Sequence, residues 1–240
     1  PSAIQQCTII PMINGRNVVA QAFKLGGKTT TLGLSVLQVI DTNLHKAQAL
    51  VLAQSKQAAT EFRDTLLNLT RVENASSWVK CYLCDENAPI EVDLSGLAIE
   101  RGDHIILGTP AHILELIRRR LLQTRHFKIL AVDNLEQVVE SGFDAHILDV
   151  RRCLPCPLQT VVTFTTSSPE LIRTTNDLMT DPIHISVNDN SVFFYARHFF
   201  LVLPATANRL TCIFNLRQRL KANRIVIFTR ESEAMQASGL

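Results

Sequence analysis

Several features that mark other classes of protein are missing from this sequence. No run of apolar residues approaches the roughly 20 that a membrane-spanning helix needs, and no basic and apolar secretory leader begins the chain. The net charge of +2 is too small to indicate nucleic-acid binding by itself. Hydrophobic residues make up 46% and charged residues 19%, which excludes global disorder. We therefore expect a globular protein of the cytoplasm, or alternatively of the nucleus, without a membrane partner.

Disulfide bonds are not expected, because six cysteines in a chain without a secretion signal are typical of reduced thiols. Two Cys-x-x-Cys pairs, Cys81/Cys84 and Cys153/Cys156, have the spacing of zinc ligands. The first pair is predicted at the end of a strand over 77–83, and the second lies before a strand over 159–166. In a parallel sheet these positions are on opposite edges, so the sequence predicts no zinc site.

Apolar runs alternate with segments of helical periodicity along the chain. Strands are predicted over 48–53, 104–108, 128–132, 159–166 and 182–187, and helices over 56–69, 111–120, 143–151 and 169–179. An amino-terminal helix has its apolar side at Ile4, Ile9 and Ile10, and the helix over 56–69 has its own at Ala59, Phe62, Leu66 and Leu69. Such alternation predicts an α/β fold with a parallel sheet flanked by helices.

A polar break, Asn188-Asp189-Asn190-Ser191, is the best linker in the chain. We predict a first domain over 1–187, a linker over 188–192 and the start of a second domain over 193–240. In the second domain a strand over 193–203, a helix over 205–220 and a strand over 224–229 are expected.

The loop over 20–30 lies between a β-branched run and a helical pattern, and it ends in Gly27-Lys28-Thr29. Backbone N–H groups at a helix start bind phosphate, with Lys28 reaching the outer phosphates and the Thr29 hydroxyl on Mg²⁺. The pattern is imperfect, because Ala22 replaces the first glycine and Leu25 adds bulk. The predicted nucleotide-binding residues of this loop are Ala22, Gly26, Gly27, Lys28, Thr29 and Thr30.

A second chemical feature is the apolar strand that ends at Asp133. A strand-end acid downstream of a phosphate loop is placed to hold Mg²⁺ through water. The predicted magnesium residues are therefore Thr29 and Asp133.

Several stretches, in order and over essentially the whole chain, resemble the first half of a DEAD-box RNA helicase, closest to the translation initiation factor four-A group. They are Pro1–Gln6 (the adenine-reading Q motif), 20–29, 49–59, 105–112, Asp133-Asn134-Leu135-Glu136 (the Asp-Glu-Ala-Asp box), Phe164-Thr165-Thr166 (the Ser-Ala-Thr motif) and 226–230 (the opening of the second domain).

The resemblance implies a RecA-like P-loop NTPase fold, ATP and Mg²⁺ as ligands, and Gln5 on the adenine. It also implies binding to the RNA backbone without sequence specificity, with translation-initiation scaffold proteins as further partners. The RNA-binding positions implied are Ser55, Lys56, Thr109, Pro110 and His112. The catalytic positions implied are Asp133, Glu136 and Asn134, the last as a degenerate base.

The departures from the family pattern bear on the mechanism. Asn134 stands where the family has the glutamate that activates water, and an amide cannot take a proton at neutral pH. Glu136 is one methylene longer than the family's aspartate, and Phe164 removes a hydroxyl expected to bond to that acid. Lys56 and His112 replace arginines, and Leu83-Cys84 replaces paired glycines. The family's arginine finger lies beyond Leu240.

Three hypotheses follow. The first is a DEAD-box helicase domain that binds ATP and RNA with impaired hydrolysis and unwinding. The second is a non-catalytic module that keeps the RecA fold and binds RNA or protein. The third is an unrelated P-loop enzyme, against which the collinear motifs argue. We favour the first.

Overall fold

The computed structural model describes residues 1–71, 78–85, 102–187, 202 and 209–220. The chain divides into two compact units, Pro1–Asp189 and Asn190–Leu240. In the second unit the described part is Val202 and a helix over Arg209–Leu220, which overlaps the helix predicted over 205–220. The predicted linker, the predicted strand over 224–229 and, apart from Val202, the predicted strand over 193–203 lie outside the described residues.

The described part of the first unit alternates strands and helices, as the sequence predicts. Its strands are β1 (Val18–Ala22), β2 (Ala49–Leu52), β3 (Cys81–Leu83), β4 (Ile105–Gly108), β5 (Ile129–Val132), β6 (Gln159–Phe164) and β7 (Ile183–Val187). Its helices are α1 (Ala3–Ile13), α2 (Lys28–Gln38), α3 (Lys56–Thr70), α4 (Pro110–Arg118), α5 (Leu135–Glu140), α6 (Asp144–Cys153) and α7 (Pro169–Leu178), and α8 is Arg209–Leu220 in the second unit.

The seven strands form one sheet in the order β3-β4-β2-β5-β6-β1-β7, and every pair is parallel. The predicted α/β class with a parallel sheet is therefore confirmed. Leu52 of β2 pairs with Gly108 of β4 and Val132 of β5, so the strands end at a common edge. All loops that follow these strands meet at that carboxyl edge.

Two apolar cores cover the two faces of the sheet. Helices α1, α2 and α3 pack on one face, and α4, α5, α6 and α7 pack on the other. Strand β2 has alternate side chains in each core and all four residues buried, which explains its continuous apolar sequence.

Helix starts follow from local hydrogen bonding. Ser55 and Ser168 precede α3 and α7, and their hydroxyls accept from the backbone N–H groups of Ala58 and Leu171. Pro169 occupies the first helical position of α7, where its missing N–H would be unsatisfied anyway. These caps fix where the chain turns from the sheet edge into each helix.

Two sequence predictions about packing were wrong, and one short helix was missed. The buried side of α1 is Ile4, Thr8 and Met12, spaced four residues apart, whereas Ile10 is 63% exposed. At the end of α3, Leu69 is 37% exposed, because the buried stripe of this helix ends with Leu66 and Thr70. The short helix α5 was not predicted as a separate element.

The prediction that the two cysteine pairs lie on opposite edges of the sheet was wrong. Cys81 begins β3 rather than ending it, and Cys153 and Cys156 precede β6, so these three lie toward the amino ends of their strands. Strands β3 and β6 are four positions apart, about 19 Å at roughly 4.8 Å per strand. Within the described ranges, no three His, Cys, Asp or Glu side chains are grouped as metal ligands.

No helix in the described part of the chain combines the length and apolarity that crossing a membrane requires.

Candidate functional site

The sheet order brings the predicted nucleotide residues together at the carboxyl edge. Strands β5 and β1 flank β6, with Val132 opposite Val162 and Gln21 opposite Phe164. The loop after β1, the acid after β5 and the threonines at the end of β6 therefore converge. In open parallel sheets, ligands bind outside the carboxyl ends of the strands.

The loop between β1 and α2 turns through two residues of positive φ. Gly27 caps α2 at φ +95°, a conformation that glycine adopts without strain. Leu25 has φ +66° and is 96% exposed. The Leu25 side chain therefore extends into solvent, and its backbone conformation adds strain to the loop.

Lys28, the first residue of α2, is almost fully buried under this loop. Its ammonium donates to the carbonyl oxygens of Ala22 (2.7 Å) and Phe23 (3.0 Å) and to the Thr165 hydroxyl (3.0 Å). Burial lowers the pKa of Lys28, and the nearby carboxylates of Glu136 and Asp133 oppose that shift. All three ammonium protons are thus directed at protein acceptors.

Asp133 follows β5 and is bound by two hydroxyls. Thr29 donates to Oδ2 at 3.0 Å, and Thr163 donates to Oδ1 at 2.7 Å. Burial raises the pKa of Asp133, while the hydrogen bonds from Thr163 and Thr29 and the charge of Lys28 act in the opposite direction. The structure therefore brings together the two predicted magnesium residues, and both offer the oxygen donors that Mg²⁺ prefers.

The rest of the acidic box lies over the end of β6. The Asn134 backbone, at φ +51°, donates its N–H to the Thr163 hydroxyl (3.1 Å). Oε1 of Glu136 accepts from the Thr165 N–H (2.9 Å), and Oε2 is buried without a hydrogen-bond partner among the described residues.

These contacts bear on the departure at Phe164. Phe164 is 4% exposed and belongs to the apolar core. Glu136 accepts from the backbone N–H of Thr165, while the Thr165 hydroxyl accepts from Lys28. The hydrogen bond to Glu136 therefore comes from the backbone rather than from a side-chain hydroxyl of this segment.

The amino-terminal helix contacts the phosphate loop directly. The Ser2 hydroxyl donates to the Gly26 carbonyl (2.6 Å), and the Ser2 N–H donates to Oε1 of Gln5 (2.8 Å). A β-carbon on Gly27 would lie 2.7 Å from Nε2 of Gln5, and the φ of +95° at this position favours glycine. Gln5 therefore lies beside the loop.

The predicted RNA residues lie on the other half of the same edge, after β2 and β4. Ser55 caps α3, while Thr109 and Pro110, at the start of α4, are buried. Lys56 and His112 lie in the first turns of α3 and α4 and are partly exposed. Lys56 is paired with Asp85, which follows β3, at 2.5 Å.

Two comparisons of sequence decide the family. The profile described as DEAD/DEAH box helicase matches residues 2–174. The chain belongs to the DEAD/DEAH box helicase family. It is 35% identical over 229 residues to the ATP-dependent RNA helicase FAL1 of Mycosarcoma maydis, and 34% identical over 229 residues to FAL1 of Ajellomyces capsulatus. These alignments include 95% of this chain but 56% and 50% of the two relatives, so the chain spans about half their length.

Comparison of structures supports the fold. A DEAD box protein from the hyperthermophile Methanococcus jannaschii matches all of this chain and 63% of its own with a TM-score of 0.77 at 19% identity. A Dbp5 variant from S. cerevisiae, bound to Gle1 and IP6, matches 79% of this chain and 47% of its own with a TM-score of 0.67 at 22% identity. A related Dbp5 complex with Nup159, Gle1, IP6 and ADP matches with a TM-score of 0.65. The sheet of this helicase chain is thus RecA-like.

Three residues that contact the candidate site residues were not predicted from the sequence. Thr163 bonds to Asp133 and Asn134, Ser2 bonds to the phosphate loop, and Asp85 pairs with Lys56. Alternating threonines at the end of β6 were a signal for the first. A long-range contact such as that of Asp85 leaves no local pattern, because it depends on the sheet order.

Proposed function

We propose that this chain is the first RecA-like domain of an RNA helicase that binds ATP with Mg²⁺ and RNA, and that hydrolyses ATP weakly or not at all. Asn134, at the position of the family's catalytic glutamate, is the observation that carries this proposal. Its amide can orient a water molecule but cannot accept a proton from it. Loss of a general base lowers a rate by about 10²–10⁴-fold.

The residues around the phosphate loop fit a nucleotide and its metal ion. The loop has a glycine of positive φ at the helix start, and Thr29 and Asp133 supply oxygen ligands 3.0 Å apart. When bound, Mg²⁺ would neutralise phosphate charge, with Thr29 and Asp133 as the residues that hold it. Lys28 would donate to the phosphates, and Gln5 lies beside the loop to orient the base.

Binding requires a change at Lys28. Its three protons are directed at Ala22, Phe23 and Thr165, so phosphate oxygens have to replace at least one of these acceptors. The lowered pKa of Lys28 reflects burial rather than a loss of partners, and anionic phosphate stabilises the charged form. The chain therefore keeps the cation that the phosphates need, at the cost of one internal hydrogen bond.

ATP binding with MgCl₂ is tested by calorimetry on the 240-residue chain. Lys28→Ala should weaken binding at least tenfold, because it removes the cation under the loop. Lys24→Ala is the matched control, since Lys24 lies in the same loop with an exposed side chain. Phosphate release measured in parallel should stay near the background rate.

The outcomes separate the candidate functions. Binding that Lys28→Ala removes and Lys24→Ala preserves supports a nucleotide-binding domain with impaired turnover. Rapid phosphate release would contradict the role given to Asn134. A folded chain that shows no binding would favour the alternative, a non-catalytic module for RNA or protein, for which the three internal hydrogen bonds of Lys28 are the supporting observation.

RNA binding belongs to the same proposal, and it rests on the residues after β2 and β4. We also propose translation-initiation scaffold proteins as partners, on the likeness to the translation initiation factor four-A group. Location in the cytoplasm, or alternatively the nucleus, stays a prediction.

A further inference from the structure

A carboxylate lies inside the edge at which RNA is proposed to bind. Asp85 follows β3, which pairs with β4, and β4 in turn pairs with β2. The Cys84 N–H donates to the Leu107 carbonyl (2.8 Å), and the Ala53 N–H donates to the Gly108 carbonyl (3.1 Å). These bonds place the segments that follow the three strands side by side.

Lys56 spans this edge to Asp85. Its ammonium lies 2.5 Å from Oδ2 of Asp85, and the two side chains are 41% and 34% exposed. Lys56 is the one residue of the predicted RNA set with a permanent positive charge, since Ser55, Thr109 and Pro110 are neutral. At this edge, the Asp85 carboxylate therefore neutralises the positive charge of Lys56.

We propose that Asp85 weakens the binding of single-stranded RNA by competing with phosphate for Lys56 and by repelling the backbone. This inference rests on the proposed RNA binding and adds to it a repulsive element. Affinity for a nucleic-acid backbone depends on cations that replace counterions. A lysine already paired with a carboxylate releases few counterions when phosphate arrives.

The effect of removing the carboxylate can be estimated. Asp85→Asn frees one cation for one phosphate, which should steepen the slope of log K against log salt by about 0.7 for a single strand. The affinity for RNA at low salt should rise roughly three- to tenfold. The rise is modest because an exposed ion pair competes only weakly with phosphate, and it includes the loss of repulsion between the Asp85 carboxylate and the RNA backbone.

The test is fluorescence anisotropy of a labelled oligouridylate titrated with the 240-residue chain at several salt concentrations. The matched control is Asp64→Asn, which makes the same change of net charge. Asp64 pairs with Arg63 at 3.0 Å and lies eight residues after Lys56 on α3, about 12 Å along the helix axis. Asp85→Ser provides a second variant without the carboxylate.

A double-mutant cycle identifies the route of the effect. Lys56→Gln in the unmodified chain should lower RNA affinity, because it leaves the Asp85 carboxylate without its counter-charge. In the Asp85→Asn background it should remove the part of the gain that comes from the freed ammonium and restore the shallower salt slope. A salt slope that stays steeper without Lys56 would overturn the claim that Asp85 acts on this lysine.

The remaining outcomes distinguish this inference from the function on which it rests. If the chain binds RNA and both Asp85 variants bind no more tightly than Asp64→Asn, the inference is wrong and the proposed RNA binding stands. If only the Asp85 variants bind, the inference is supported. If neither the chain nor any variant binds, RNA binding at this edge is wrong, and the role of Asp85 falls with it.

Discussion

Leu25 adopts a backbone conformation that suits glycine, and this gives a direct test of the strain in the phosphate loop. Its φ of +66° lies in the left-handed region, where the β-carbon crowds the following carbonyl oxygen. The side chain is 96% exposed, so it gains almost no burial in return. Replacing Leu25 by glycine should therefore stabilise the fold.

The size of the effect follows from these two observations. Left-handed backbone costs a residue other than glycine about 1–2 kcal/mol, and the greater freedom of glycine in the unfolded chain offsets about 0.5–1 kcal/mol of that. The expected net gain for Leu25→Gly is about 0.5–1 kcal/mol. For a folding unit of 150–250 residues, this corresponds to a rise in Tm of roughly 1–4 °C.

Urea and thermal unfolding of purified chains, each followed by circular dichroism, measure the change. Leu25→Ala is the first control, because it removes the exposed side chain but keeps a β-carbon in the left-handed region; its Tm should stay within about 1 °C of the unmodified chain. Arg120→Gly is the second control. Arg120 has φ +60° after α4, outside the nucleotide site, and should show a similar gain.

The reasoning is refuted by either of two results. A rise in Tm for Leu25→Ala equal to that for Leu25→Gly would show that the exposed side chain, not the backbone, is responsible. No rise for Leu25→Gly together with a rise for Arg120→Gly would mean that the phosphate loop relaxes its strain in solution.

Three further predictions concern other parts of the chain. Burial lowers the pKa of His104, so the unfolded chain binds one more proton than the folded chain below about pH 6.5. The free energy of unfolding should therefore fall as the pH falls, by up to roughly 1.4 kcal/mol per pH unit. Urea unfolding from pH 5 to 8 should show this slope; His104→Asn should reduce it, and His184→Asn, at an exposed position, should not. Burial raises the pKa of Cys81 to about 12, so iodoacetamide should alkylate it far more slowly than it alkylates exposed Cys153. Mass spectrometry measures both rates, and equal rates would contradict the burial of the Cys81 thiol. Asn134→Glu alone should not restore RNA-stimulated phosphate release, and a rate equal to that of a FAL1 helicase assayed in parallel would show that the other departures matter little.

Sequence patterns predicted the fold well because the sheet is buried on both faces. Four consecutive apolar residues in β2 and in β5 allow little besides a central parallel strand. The stripe on α1 was misassigned, because apolar residues occur on more than one side of that helix and Thr8 lies in the buried stripe. Thr8 satisfies its hydroxyl on the Ile4 carbonyl at 2.5 Å, an arrangement that hydrophobicity does not predict.

The site was predictable where one segment supplies the chemistry and unpredictable where two segments meet. The loop that ends in Lys28-Thr29 and the strand that ends in Asp133 each have a local pattern, and the structure brings them to hydrogen-bonding distance. The hydrogen bond from Thr165 to Glu136 was not predicted, because its donor is a backbone N–H that leaves no signal in the sequence. Asp85 could not be found at all without the order of β3, β4 and β2.

The sheet order also bears on how the departures from the family combine. Cys84, in the pair that replaces the family's glycines, and Asn134 follow β3 and β5, which are separated by three strand positions, about 14 Å. Changes at such distances without shared partners contribute nearly independently to free energy. In the proposed function they act on different steps, which are the approach of the RNA backbone at Leu83-Cys84 and proton transfer at Asn134. Restoring the glutamate therefore leaves the deficit in RNA binding in place, which is the physical reason to expect no recovery from Asn134→Glu alone.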